Sequence, residues 1–156
     1  MNFATAVKRT PSISEHLKGG LQALHNVDRR RVSCEGRNLR GSVAIDDALR
    51  RSHPNAARWD YAVGFGRERR HDSIVWLEVH PASSHHIGEV LDKLDWLKHW
   101  MRDEAPELGR FPRCFCWIAS GAISFGRGGP QAKKLAEAGL RFPVKQADIE
   151  RLFEQQ

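Results

Sequence analysis

Apolar residues recur with two periods along this chain, and the clearest strand patterns lie between Trp59 and Val79. From Trp59 to Phe65 large apolar residues alternate with Asp60 and small residues, which predicts a strand with one apolar face. Ile74–Val79 predicts a second strand, whose two faces are apolar except for Glu78. An acid in such a run requires a partner, because an unpaired buried carboxylate is costly.

Helical periodicity follows these two strands directly. Ser83 or Ser84 can cap a helix over Ile87–Met101, in which apolar residues recur every three or four positions. Glu89, Lys93, Trp96 and Trp100 share a neighbouring face of this predicted helix. Cys114–Ala119 is apolar on both faces and predicts a central strand.

Weaker patterns predict the remaining elements. We expect helices over residues 12–24, 48–51, 131–138 and 146–153, and a short strand near Val32–Cys34. The order of helix, strands, helix, strand and helix predicts an α/β fold with a mixed central sheet flanked by helices. A length of 156 residues suits one domain over residues 1–156.

The charge of the chain favours anionic partners. Its 25 Lys and Arg against 19 Asp and Glu give a formal net charge of +6. Arginines concentrate at Arg29–Arg31 and in the turn Arg67–Arg70. Clusters of this kind can bind the phosphates of DNA or RNA, or they can form an ordinary solvated surface.

The cysteine count and the apolar runs bear on the compartment. Cys34, Cys114 and Cys116 are odd in number, which argues against a disulfide framework. We find no signal-peptide pattern at the N-terminus and no apolar run near the ~20 residues of a membrane span. These features predict a cytoplasmic protein with no membrane partner.

Asp60 and Glu78 are the strongest candidates for chemistry. They lie 18 positions apart on strands that a turn can pair, so their carboxylates could share one hard cation such as Mg²⁺ or Mn²⁺. A metal there would lower the pKa of a bound water and neutralise phosphate charge. His80 points to the same face as Glu78 and could orient water, act as a general base or contact phosphate.

Asp60, followed by Glu78-Val79-His80 at a strand end and then by a helix, resembles the PD-(D/E)xK nuclease superfamily. The resemblance implies a restriction-endonuclease-like core over roughly residues 12–119. It also implies a metal-dependent nuclease, with Asp60 and Glu78 as the metal ligands and Glu15 as an extra acid by position. Trp59 replaces the proline of the family pattern, and His80 replaces its lysine. Some members carry that lysine on the following helix, where Lys93 is the candidate here.

A different class of function fits the same residues. The chain can be a catalytically inactive interaction or scaffold protein, with Glu78 neutralised by Lys93 or Lys98 and with Trp96 and Trp100 exposed to a protein partner or a second copy. An open cleft that holds both carboxylates without a lysine salt bridge supports the enzyme, whereas a buried Glu78–lysine pair without a cleft rules the enzyme out in favour of the scaffold. Asp60 could also simply pair with Arg58 or Arg67.

Histidines offer a further alternative. His80, His85 and His86, with Cys114 or Cys116, supply the nitrogen and sulfur ligands that Zn²⁺ favours, although their spacing matches no familiar zinc module. The glycine-rich run at 126–130 lacks the Gly-Lys-Ser/Thr ending of a phosphate-binding P-loop.

Overall fold

The computed structural model describes residues 1–154, which form a mixed α/β domain. In chain order, the helices and strands of this part are α1 (Phe3–Lys8), α2 (Asn26–Arg29), β1 (Val32–Ser33), β2 (Leu39–Ala44), α3 (Ile45–Leu49), β3 (Tyr61–Phe65), β4 (Ser73–Ala82), α4 (Ile87–Glu104), β5 (Arg113–Ile123), α5 (Pro130–Glu137), β6 (Ala147–Asp148) and α6 (Ile149–Glu154).

A four-stranded sheet in the order β2-β3-β4-β5 forms the centre of the domain. β2, β3 and β4 are antiparallel neighbours, and β5 runs parallel to β4. A parallel pair needs a crossover connection, which α4 provides. β1 and β6 form a separate two-stranded parallel sheet. The predicted α/β class with a mixed, helix-flanked sheet is therefore confirmed.

The two faces of the sheet belong to separate apolar clusters, because successive residues of a strand point to opposite sides. Ile74 and Trp76 of β4 lie in the cluster that includes α1 and α4. Val75 and Leu77 lie in the cluster that includes β6 and α6. Glu78 follows the alternation of Ile74 and Trp76, so its side chain is directed towards α4.

Helix α4 buries the predicted stripe of apolar residues. Ile87, Val90, Leu94, Leu97 and Met101 are buried, as expected. Trp100 is buried as well, at 2% exposure, and its ring stacks on that of Trp96 with centroids 6.0 Å apart. The expectation that Trp100 is exposed to a partner is therefore wrong, because this ring completes the core.

The helix predicted over residues 12–24 is absent. Turns follow α1 from residue 9, and Lys18 forms an isolated bridge to Ser42 of β2. Gly20 has a φ of +50°, a left-handed conformation that favours glycine and ends helical geometry. The apolar residues of this segment do not form one helical stripe. Ile13 is buried against one face of the sheet and Leu24 against the other. Glu15, the acid suggested by position, is exposed in these turns.

All three cysteines, Cys34, Cys114 and Cys116, are free thiols. Trp59 lies outside β3 and packs in the cluster opposite to that of Tyr61, so the predicted strand begins two residues too early. Within residues 1–154, no helix combines the length and the apolar character that crossing a bilayer requires.

Candidate functional site

Asp60 and Glu78 lie side by side where β3 begins. Tyr61 pairs with Leu77 in the antiparallel register, which places the preceding Asp60 opposite Glu78. The backbone N–H of Asp60 donates to Oε1 of Glu78 over 3.1 Å, and the N–H of Val79 donates to Oδ2 of Asp60 over 2.9 Å. Each acid is thus bound by the backbone of the other strand, and the predicted proximity of the two acids is observed.

Lys93 reaches this pair from the second turn of α4. Its Nζ donates to Oε2 of Glu78 over 2.6 Å, and Glu78 is completely buried. Burial alone would lower the pKa of Lys93, but the attraction of Glu78 outweighs it and leaves the pKa raised. Lys93 is therefore a cation bound to a buried carboxylate, at the position considered for the displaced lysine.

His80 lies on the other side of the same carboxylate. Its Nδ1 is 3.4 Å from Oε2 of Glu78, and its side chain is 12% exposed. The contact with Glu78 raises the pKa of His80, with burial acting in the opposite direction. The register between β4 and β5 shifts just after His80, at Pro81, which redirects the chain towards α4.

Asp60 differs from Glu78 in its access to solvent. Burial and the neighbouring charge of Glu78 raise the pKa of Asp60 from 3.8 to about 7, while Lys93 partly opposes them. Asp60 lines a cavity of about 240 Å³, together with His25, Asp28, Asp46, Asp47 and Tyr61. Glu78 is not among the residues that line it. The two carboxylates are adjacent, but they do not open together into one cleft.

The alternative ion pairs of Asp60 do not form. Nε of Arg58 donates to Asp46 over 2.8 Å, and Arg67 contacts Glu154 at 3.3 Å. Lys98 likewise donates to the carbonyl of Ala138 rather than to Glu78. Among the alternatives raised by the sequence, the Glu78–Lys93 pair is the one that the structure contains.

The donor atoms of this centre fit a hard cation in type, since carboxylate oxygens are what Mg²⁺ and Mn²⁺ prefer. A cation entering from solvent would reach Asp60, because Asp60 lines the cavity and Glu78 does not. Both oxygens of Glu78 already accept hydrogen bonds, from Asp60 and from Lys93. A metal shared by both acids would use their remaining lone pairs beside an ammonium group.

The two arginine clusters differ in position and availability. Arg31 donates to the carbonyl of Ala119, which pairs with His80, so Arg29–Arg31 lies at the same end of the sheet as the acids. Arg29 is bound to the carbonyl of Leu24, whereas Arg30 is exposed. Arg67–Arg70 lies in the opposite turn of the β3–β4 hairpin, about 20 Å away along the strand. The second cluster is too distant to contact a group bound at Asp60.

The structure also brings Glu89 and His86 together near this centre, whereas the sequence placed one on a helix face and the other in a group of histidines. Glu89, in the first turn of α4, lies with its Oε2 3.1 Å from Nε2 of His80. His86 is nearby, with its ring centroid 5.2 Å from that of His80. The spacing of His86 and Glu89, three positions apart at a helix start, is the signal that could have identified the pair. Cys114 and Cys116, proposed as zinc ligands, instead pack in the cluster on the other face of the sheet.

Comparisons of the chain with protein-family models, curated proteins and solved structures find no match. The fold and the site therefore define the molecule on their own: a mixed α/β protein with a buried carboxylate–lysine centre at one end of its sheet.

Proposed function

We propose that this chain is a metal-dependent phosphodiesterase of the restriction-endonuclease-like type, acting on or binding nucleic acid. The observation that carries the proposal is that Asp60 lines a cavity of about 240 Å³ while it lies beside Glu78. The buried Glu78–Lys93 pair and the separate access of the two acids meet the criterion stated above for the scaffold, so they support the second candidate below. The element order supports it in part. A helix, a meander of strands, a helix and another strand, as the resemblance implies, are present as α1, β2–β4, α4 and β5, with α2, β1 and α3 inserted among them.

Asp60 and Glu78 would hold Mg²⁺ or Mn²⁺, which when bound would activate a water and neutralise charge on a phosphodiester. Lys93 gives the buried Glu78 a cationic partner, which a carboxylate in such a position requires. His80, whose Nδ1 lies 3.4 Å from Oε2 of Glu78, would accept a proton or contact phosphate.

The titration of Asp60 gives this proposal a pH dependence. Only the ionised carboxylate binds a cation well, and the pKa of Asp60 is raised to about 7. Cleavage should therefore increase with pH through about 7, as Asp60 loses its proton. The net charge of +6 and the exposed Arg30 near the site favour a polyanionic substrate, DNA or RNA.

A second candidate function is supported by one specific observation. Glu78 is 0% exposed and already carries a lysine partner, the arrangement expected of a catalytically inactive interaction or scaffold protein on the same fold. A buried ion pair is seldom retained for stability alone, because desolvation offsets most of its attraction. In this second candidate the pair would fix the geometry of the sheet end, and a protein partner or a second copy would bind elsewhere.

Cleavage assays distinguish the two candidates. Plasmid DNA, single-stranded DNA and RNA are incubated with Mg²⁺ or Mn²⁺ and with wild type, Asp60→Asn, Glu78→Gln or Asp92→Asn. Asp92 is an exposed acid on α4 next to Lys93, so it is the matched control.

We expect cleavage by wild type and by Asp92→Asn, and its loss in the other two variants. Cleavage that persists in Glu78→Gln would reject the assigned site. If folded wild type binds DNA or RNA in a salt-dependent way but cleaves neither, hydrolysis is excluded and a binding role remains. If it neither cleaves nor binds, the second candidate replaces the first.

A further inference from the structure

His80, His86 and Glu89 form a compact group beside the acid centre. One ligand atom from each residue lies within 4.8 Å of the others, with 3.1 Å between Nε2 of His80 and Oε2 of Glu89. Two ligands of a tetrahedral Zn²⁺ lie about 3.3 Å apart, given bonds of about 2.0–2.1 Å. The His80–Glu89 separation is close to this value, and the limit of 4.8 Å for the group leaves at most about 1.5 Å of side-chain movement to form a metal site.

Each ring has a polar partner at its Nδ1, as metal-binding histidines commonly have on the nitrogen that does not bind the metal. Nδ1 of His80 lies 3.4 Å from the buried carboxylate of Glu78, and Nδ1 of His86 lies 2.7 Å from the hydroxyl of Ser83. A carboxylate behind a ligating imidazole fixes its orientation and increases its basicity. This arrangement gives the buried Glu78 a second use, which is to orient His80.

The lack of a hydrogen-bond partner for Nε2 of His80 within residues 1–154 is an independent observation that points to a ligand. This atom is also buried. It lies near Oε2 of Glu89, yet the contact does not have hydrogen-bond geometry. A buried polar atom without a partner is uncommon and costs free energy, and a bound cation would satisfy both atoms at once.

We propose that His80, His86 and Glu89 bind a transition-metal ion, with Zn²⁺ as the best fit. Two imidazoles and one carboxylate suit Zn²⁺ rather than Mg²⁺, which prefers oxygen ligands alone. Three protein ligands leave a fourth position for water. Glu89 is exposed, so solvent and metal ions can reach its carboxylate. The site shares no metal ligand with the acid pair Asp60 and Glu78 and goes beyond the proposed function. A metal on Nε2 would take His80 away from the proton-accepting or phosphate-contacting role given to it above.

Metal titration of the full chain tests this site. Protein freed of metal by a chelator is titrated with Zn²⁺ in competition with a chromophoric chelator, and with Co²⁺ while its visible absorption is recorded. The variants are His86→Ala, Glu89→Gln and the matched control His85→Ala, which removes an exposed neighbouring histidine outside the group. Asp60→Asn reports whether the acid pair contributes.

We expect one Zn²⁺ per chain, an affinity at least about 10-fold weaker in His86→Ala and Glu89→Gln, and wild-type affinity in His85→Ala and Asp60→Asn. Visible Co²⁺ absorption should decrease in the first two variants alone, and a large excess of Mg²⁺ should not displace Zn²⁺. Equal loss in His85→Ala, wild-type binding by His86→Ala, or no 1:1 binding by wild type would overturn the proposal. Loss of binding in Asp60→Asn would place the metal at the acid pair instead.

Discussion

Replacing Asp60 with asparagine should stabilise the folded protein at alkaline pH. The carboxyl of Asp60 is held partly out of solvent beside the charge of Glu78, so its ionised form is disfavoured. Asparagine has nearly the same shape, can still accept the hydrogen bond from the N–H of Val79, and carries no charge. A candidate metal ligand thus becomes a site where loss of charge strengthens the fold.

The size and sign of the effect follow from the two pKa values. The pKa of Asp60 is 3.8 in the unfolded chain and about 7 in the folded protein. Below about pH 4 both states are protonated, so the charge costs no stability. Between the two values the unfolded chain alone loses its proton, and the free energy of unfolding decreases as the pH rises. Above pH 7 the full cost is present, at most about 4 kcal/mol at about 1.4 kcal/mol for each pH unit.

Urea unfolding of wild type and Asp60→Asn at several pH values between 4 and 9 measures this cost. The difference in unfolding free energy isolates Asp60, because His80 and the other titrating groups are present in both proteins. We expect little difference at pH 4, an increasing advantage for the variant up to about pH 7, and a plateau of a few kcal/mol above it. A difference that is independent of pH, or a variant less stable at pH 8, would refute the reasoning.

Urea unfolding at pH 7 also tests the Glu78–Lys93 ion pair and the packing of α1 on the sheet. Lys93→Met should cost about 3 kcal/mol, since it leaves Glu78 buried without its cation, and the Lys93 side chain is only 19% exposed; adding Glu78→Gln should recover most of that loss. Gly64→Ala should cost about 1–3 kcal/mol, because its methyl group would overlap the ring of Phe3, whereas Gly88→Ala on α4 has open space and should gain up to about 1 kcal/mol.

Equal stability of the compared proteins would contradict either expectation. If Lys93→Met and wild type unfold at the same urea concentration, the ion pair does not satisfy Glu78. If Gly64→Ala is as stable as Gly88→Ala, the close approach of α1 to the sheet is wrong.

The sequence predicted the central part of the fold because its hydrophobic period is strong there. The pattern over 74–79 lies within β4, that over 87–101 within α4, and that over 114–119 within β5. In these elements local pattern and tertiary burial agree. At residues 12–24 they disagree, because apolar residues at helical spacing contact different parts of the core individually. Periodicity alone cannot reveal that difference.

Part of the candidate site could also be predicted from the sequence, and part could not. The adjacency of Asp60 and Glu78 followed from strand pairing, and Lys93 was placed by the helical period. The depth of burial at Glu78 was not predictable, since it depends on how closely α4 packs on the sheet. The spacing of Glu89 from His86 could have suggested that these two residues act together, but the contact of Glu89 with His80 depends on the geometry of the turn before α4.

The crossed hydrogen bonds between the two strands make the acid centre observable by nuclear magnetic resonance. The amide proton of Val79 points at the carboxylate of Asp60, and that of Asp60 points at Glu78. An amide signal shifts when the group that accepts its hydrogen bond changes charge. A pH series of nitrogen–proton spectra would therefore follow the protonation of Asp60 through Val79, and the environment of Glu78 through the amide of Asp60. Added cations could be followed on the same two signals, without any substrate.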